Sequence, residues 1–299
     1  MLPGDISFSP LDYECQIKYF PDLDYQFTFV NDKSKLLEKL KSEFPHESKK
    51  IDIYFKYLRI LEKKSGMFSL PKMYSPAIAK IMFGVSRAFN VLPHMDKSVT
   101  SFLLLLVGFK GDISSFGVKK SAYKTIIGDP STMSRNPTEK GWVCDDVTIS
   151  FPSLLNKEHR DPNYHMAEIH HETRYEYFEK FEGKQNSDEY KQITEQITKF
   201  YLNHLNEKFP GIIEYVRYSK LITPLDVKNL THHINGSMFG LDIQKADNPE
   251  LSPRSGMKNL FFTGEDIFSH GLSPLNGVIT ASVVTGKNLI TRFKKNIKQ

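Results

Sequence analysis

The sequence predicts a mixed α/β (α+β) fold, and three observations carry that reading. Two apolar runs of strand length, Ser101–Phe109 (SFLLLLVGF) and Val147–Phe151 (VTISF), are bounded by turn residues. Met1–Val30 alternates with period two (Tyr13, Cys15, Ile17, Tyr19, then Tyr25, Phe27, Phe29) around Phe20-Pro-Asp-Leu-Asp24, as an antiparallel hairpin with one buried face does. Tyr190–Phe209 places Ile193, Ile197, Tyr201 and Leu205 along one helical stripe, and Pro210-Gly211 ends it.

The remaining elements follow in order. Asn31-Asp-Lys-Ser34 is a helix start, continued by Leu36, Leu37 and Leu40 and broken at Phe44-Pro45. Ile51–Lys64 repeats the helical stripe with Ile51, Tyr54, Phe55, Leu58 and Leu61. Ser75–Leu92 sets Ile78, Ile81, Met82, Val85 and Phe89 against Lys80 and Arg87. Such a helix packs on a core, or lies on an anionic membrane surface. After the Ser101–Phe109 strand the chain reads as loop through Gly128-Asp-Pro130. His165–His171 and Ile213–Ile222 read as strands, followed by Thr223-Pro224 and the loop Asn235–Gly240.

Composition limits the class. The 299 residues suffice for a sizeable core, and 39% hydrophobic with 25% charged residues describes a globular chain. The net charge of +5 is spread out and does not point to nucleic acid. Cys15 and Cys144 form no Cys-x-x-Cys pair, which suggests a reducing compartment. No apolar run reaches 18 residues and no basic leader opens the sequence, so the expected location is cytoplasmic, with 75–92 as the segment for peripheral membrane contact. His165–His171 carries three of the ten histidines. On a strand His165 and His171 share a face about 20 Å apart and His170 points away, too divergent for one metal ion. Metal ligands are therefore expected to be absent.

Asn259–Arg292 (NLFFTGEDIFSHGLSPLNGVITASVVTGKNLITR) reads as a short apolar strand, Asn259–Thr263, a turn with Gly264, Glu265 and Asp266, a loop with Gly271, and a helix from Pro274 to Arg292 containing Gly277. A Gly-rich turn feeding a helix gathers free N–H groups and a positive dipole end at one point. An ordinary strand-turn-helix with a solvated acidic turn has the same spacing.

This stretch resembles the C-terminal flavin-binding signature of the phytoene dehydrogenase and amine oxidase superfamily of FAD-dependent oxidoreductases, in its retinol-saturase-like branch. The VGF strand (Val107–Phe109), Ile149-Ser-Phe-Pro-Ser153, Tyr175-Glu-Tyr-Phe-Glu179, Phe209-Pro-Gly211, Thr223-Pro-Leu225 and Gly236-x-x-x-Gly240 occur in that branch's order, as do Pro10-Leu-Asp12 and the Phe44-Pro45 break near the beginning. The resemblance implies FAD as cofactor, with Gly264, Glu265, Asp266, Gly271 and Gly277 at the ribityl chain and ring. It implies redox chemistry at a carbon–carbon double bond of a polyene or other apolar lipid. The fold it implies is a substrate-domain mixed sheet over residues 1–250, followed by the last strand and helix of an FAD domain over 251–299. Catalytic residues are not identified; Tyr175, Tyr177 and His233 are the proton-donor candidates, each with a structural alternative.

One family feature is absent. The 17 glycines include no two adjacent and no two separated by one residue, so there is no G-x-G-x-x-G turn for a pyrophosphate. Arg87–Thr100 also runs almost directly into the VGF strand, where family members carry a further FAD-domain segment. The resemblance thus implies a shortened form. Three readings stay open: an FAD-dependent enzyme, a non-catalytic lipid-binding remnant, and one subunit of a split enzyme whose Rossmann half lies on a partner chain.

Overall fold

In a computed structural model of the chain, residues 14–59, 100–126, 146–154, 161, 163–237, 253–254, 257–264 and 273–290 are described. Its strands are β1 (Glu14–Phe20), β2 (Tyr25–Val30), β3 (Thr100–Lys110), β4 (Ala122–Ile126), β5 (Asp146–Ser150), β6 (Tyr164–Arg174) and β7 (Val216–Ile222). The longer helices are α1 (Lys33–Glu43), α2 (48–59), α3 (Asp188–Lys208), α4 (Pro224–Thr231) and α5 (Ser273–Thr285). The fold is mixed α/β, and the chain divides into two units, 1–43 with 99–238 and 44–98 with 239–299.

The first unit is built on one seven-stranded sheet in the order β2-β1-β4-β5-β6-β3-β7. Neighbours are antiparallel except β1 and β4, which run parallel. Toward its β7 edge, β3 and β6 pair residue for residue from Thr100↔Arg174 to Lys110↔Tyr164. Strict alternation fixes that register, because a slip by one would turn Leu103, Leu105, Val107 and Phe109 out of the core. These residues, with Ala167 and Ile169 of β6 and Val147 and Ile149 of β5, form the face that α3 covers with Ile197, Tyr201 and Leu205. Where α3 ends, Phe209 meets Tyr123 and Phe151 edge-on, with ring centroids 4.9 and 5.6 Å away.

Local chemistry sets the ends of the helices. Ser187 caps α3, its hydroxyl accepting from the Tyr190 N–H at 3.3 Å. Gly211, at φ 87°, turns the chain beyond it. The expected strand Ile213–Ile222 begins later than its composition suggests. Ile212–Tyr215 is a 3-10 turn that tucks Ile212 into the core, and β7 starts at Val216. Two elements were not anticipated. β4 lies in the stretch read as loop, its pattern being only five residues long and broken by Lys124. α4 is fixed by a reciprocal cap: Thr223 Oγ1 accepts from the Asp226 N–H at 3.4 Å, and the Asp226 carboxylate accepts from the Thr223 N–H at 2.8 Å.

Among the described residues of the second unit are α2, α5 and the segments 253–254 and 257–264. The expected strand Asn259–Thr263 is reduced to one antiparallel bridge, Arg254↔Phe261, reinforced by the Phe262 N–H donating to the Pro253 carbonyl at 2.7 Å. Asn259 sits at φ 62°, which turns the backbone out of extended geometry before a ladder can form. The final helix stops at Thr285, short of the expected Arg292, because Gly286 takes φ 67° at its C-terminal end. Residues 75–92 lie outside the described residues, and no described helix is long and apolar enough to cross a membrane.

Candidate functional site

The C-terminal turn and helix are the first candidate. Gly264 adopts φ 96°, a conformation that L side chains rarely take, and this explains a glycine there. Its carbonyl accepts from Asn276 Nδ2 at 2.6 Å, and one helical turn later Thr280 Oγ1 donates to the Phe262 carbonyl at 2.9 Å. Asn276 is 1% exposed and Thr280 9%. These two side chains hold segment 262–264 against α5, and sequence reasoning passed over them. The signal was two short polar residues four apart on one helical stripe.

Gly277 lies beside them on α5, with open space where a Cβ would stand. Glu265, Asp266 and Gly271 lie outside the described residues. The positive-φ turn, the fixed carbonyl, the open flank at Gly277 and the start of α5 fit contact with part of a flavin. Nothing comparable for a pyrophosphate occurs among the described residues.

The sheet face away from α3 is the second candidate. In β3 and β6 the even-numbered residues point there: Phe102, Leu104 and Leu106 are half-buried, and Met166 is 40% exposed. His170 is half-buried among them, and burial pushes its pKa below the ordinary histidine value, opposed by Glu168 and Asp146. Further along this face Lys124 pairs with Asp146 at 2.6 Å. The face is thus apolar along β3, with Glu168 and Glu172 on β6 and Lys220 on β7 beside it, and charged again at β4 and β1.

The histidines divide as the alternation predicts. His165 and His171 are buried on the α3 side, 4% and 1% exposed, and His170 is opposite. The Tyr201 hydroxyl donates to the Leu103 carbonyl at 3.2 Å, so the His171 Nδ1–H donates to that hydroxyl at 2.7 Å. No group of three or more His, Cys, Asp or Glu among the described residues is placed to hold a metal ion.

The proton-donor candidates have structural work. The Tyr175 hydroxyl donates to Glu182 at 2.6 Å and accepts from Lys228 Nζ at 3.1 Å. Burial, followed by the Glu182 hydrogen bond, raises its pKa. Tyr177 packs against the core, and His233 Nδ1 lies 3.0 Å from the Ser237 carbonyl.

A cavity of about 640 Å³ opens between α3 and β7, floored by Leu202, Ile213 and Leu221. Thr194 and Thr198 on its wall bond back to their own helix, through the carbonyls of Tyr190 and Thr194. Glu195, Lys199, Asn203 and Asp226 also line it.

Comparison with known proteins finds a partial likeness. No family model matches the chain. It is similar to the protein named all-trans-retinol 13,14-reductase from Danio rerio, 22% identical over 250 residues, covering 77% of this chain and 40% of that protein. The chain therefore spans less than half the length of this curated relative, and the likeness points toward a retinol-saturase-like family.

Proposed function

We propose that this chain belongs to a retinol-saturase-like, FAD-dependent oxidoreductase acting on a carbon–carbon double bond of a polyene or other apolar lipid. The observation that carries the reading is the similarity to the Danio rerio reductase across 250 residues, 77% of this chain. The half-exposed apolar residues Phe102, Leu104 and Leu106 on the sheet face away from α3 support an apolar ligand. Gly264 and Gly277, with Glu265 and Asp266 between them in sequence, are the residues that would meet the ribityl chain and ring. Bound flavin would supply the hydride chemistry; this chain's residues would orient the cofactor and keep water from the lipid.

The test is anaerobic. The chain is supplied with excess FAD and dithionite, then with all-trans-retinol, and the products are separated by chromatography. A product with one double bond fewer, formed only when chain and flavin are both present, is the expected result. Flavin-loaded chain that binds retinol and returns it unchanged would sink the catalytic reading.

A second reading rests on the missing G-x-G-x-x-G turn. In it the chain binds lipid without catalysis, or works only with a partner chain that carries the pyrophosphate site. Activity that appears only when a Rossmann-bearing partner is added would favour the partnered form.

A further inference from the structure

Directly paired residues on neighbouring strands point to the same face. One row on the face away from α3 follows from the register: Lys18 on β1, Lys124 on β4, Thr148 on β5, His170 on β6, Leu104 on β3 and Ile222 on β7. Two cations, a hydroxyl, an imidazole and two aliphatic side chains thus succeed one another across the sheet. From β1 to β3 the row spans four strand spacings, roughly 19 Å.

The cationic end has an excess of positive charge. Lys124 is matched by Asp146 at 2.6 Å, its side chain 27% exposed. Lys18 is half-buried, and its ammonium stands 4.9 Å from the centre of the Phe29 ring. No carboxylate of the described residues lies within ion-pair distance of Lys18. Burial, and then the charge of Lys124, hold its pKa below the ordinary lysine value, while Asp146 acts the other way. A half-buried ammonium beside a second one is stabilised by an anion that enters between them. Glu168 and Glu172 flank His170 on β6: Glu168 pairs with Ser150 and Leu106, and Glu172 with Phe102, each in a row beside this one and away from Lys18.

We propose that this face takes a long-chain monocarboxylate, its carboxylate between Lys18 and Lys124 and its chain laid across Thr148 and His170 onto Leu104 and Ile222. The proposal rests on the reading of an apolar-lipid ligand and adds to it a preference for an acidic head. The polarity of the row matches such a molecule in order and in length. A neutral alcohol of equal length would leave the Lys18 charge uncompensated.

Calorimetric titration of the full chain with palmitate and with hexadecanol tests it. Palmitate is expected to bind at least tenfold more tightly, and high salt should weaken the acid and spare the alcohol. Lys18→Met should bring palmitate down to the affinity of hexadecanol, while Lys18→Arg keeps the preference. Equal binding of the two by the wild-type chain would overturn the acidic-head proposal alone, and this comparison needs no variant to fold. A preference surviving in a folded Lys18→Met chain would overturn it as well. Binding of neither lipid would remove the apolar-lipid reading with it.

Discussion

At the scale of single residues, buried hydrogen bonds decide which side chains are fixed and which are open to a ligand. Tyr201 joins the sheet to α3 through His171 and the Leu103 carbonyl, all within the core. Tyr201→Phe removes the hydroxyl and with it the bonds to His171 Nδ1 and the Leu103 carbonyl. The expected cost is about 1–3 kcal/mol, read as a lower urea midpoint with an unchanged slope. Alternation alone gave the direction of His171, since a strand with His165 inside must place His171 inside too. Its partner was not legible, because nothing local in the sequence joins positions 171 and 201. Tyr175 shows the same limit. Its motif was visible, but the use of its hydroxyl depends on Glu182 and on Lys228, far along the chain.

At the scale of elements, end signals were written in the sequence more fully than they were read. Thr223-Pro224-Leu225-Asp226 contains an N-cap, a proline in the first turn and an acid at the third position, sufficient to predict α4. Thr223→Ala should lower stability by about 0.5–2 kcal/mol, and more if the bond from Thr223 to the Tyr190 hydroxyl at 2.9 Å is counted. The missed strand β4 is a different case: five residues with a lysine in the middle become a strand only because β1 and β5 flank them. In α5 two demands can be separated. Gly277 has a helical backbone and open space around it, so Gly277→Ala should raise the melting temperature, by about 0.5–1 kcal/mol in stability. If a flavin ring faces this position, the same variant should bind flavin more weakly. A glycine kept for the cofactor thus improves the fold when lost; one kept for packing would not.

At the scale of the whole chain, two equilibria report on what the fold holds. The first is protonation. Burial lowers the pKa of His170 and of His204, whose Nε2 lies 3.2 Å from Thr125 Oγ1. Unfolded, each titrates near the ordinary histidine value of about 6.5. The folded chain therefore binds fewer protons below that pH, and stability present above about pH 6.5 is lost as pH falls through the folded values. Melting temperature should drop from about pH 7.5 to about pH 5.5, and His204→Gln should flatten that slope. The second equilibrium is cofactor loading. A nanomolar flavoprotein needs about 12 kcal/mol of binding free energy. The start of α5 can offer at most about 2 kcal/mol to an anion in favourable geometry. Charge-assisted hydrogen bonds from ribityl hydroxyls to Glu265 and Asp266 would add roughly 1.5–3 kcal/mol each. The pyrophosphate, which carries the charge of the cofactor, meets no tight glycine turn anywhere in the sequence. Expressed by itself, the chain is expected to leave gel filtration colourless, with far less than one FAD per chain. Replacing Glu265 and Asp266 together with Ala should weaken the residual flavin binding more than tenfold, measured by quenching of flavin fluorescence. A yellow protein with one FAD per chain would mean that a phosphate site exists which does not use a G-x-G-x-x-G turn.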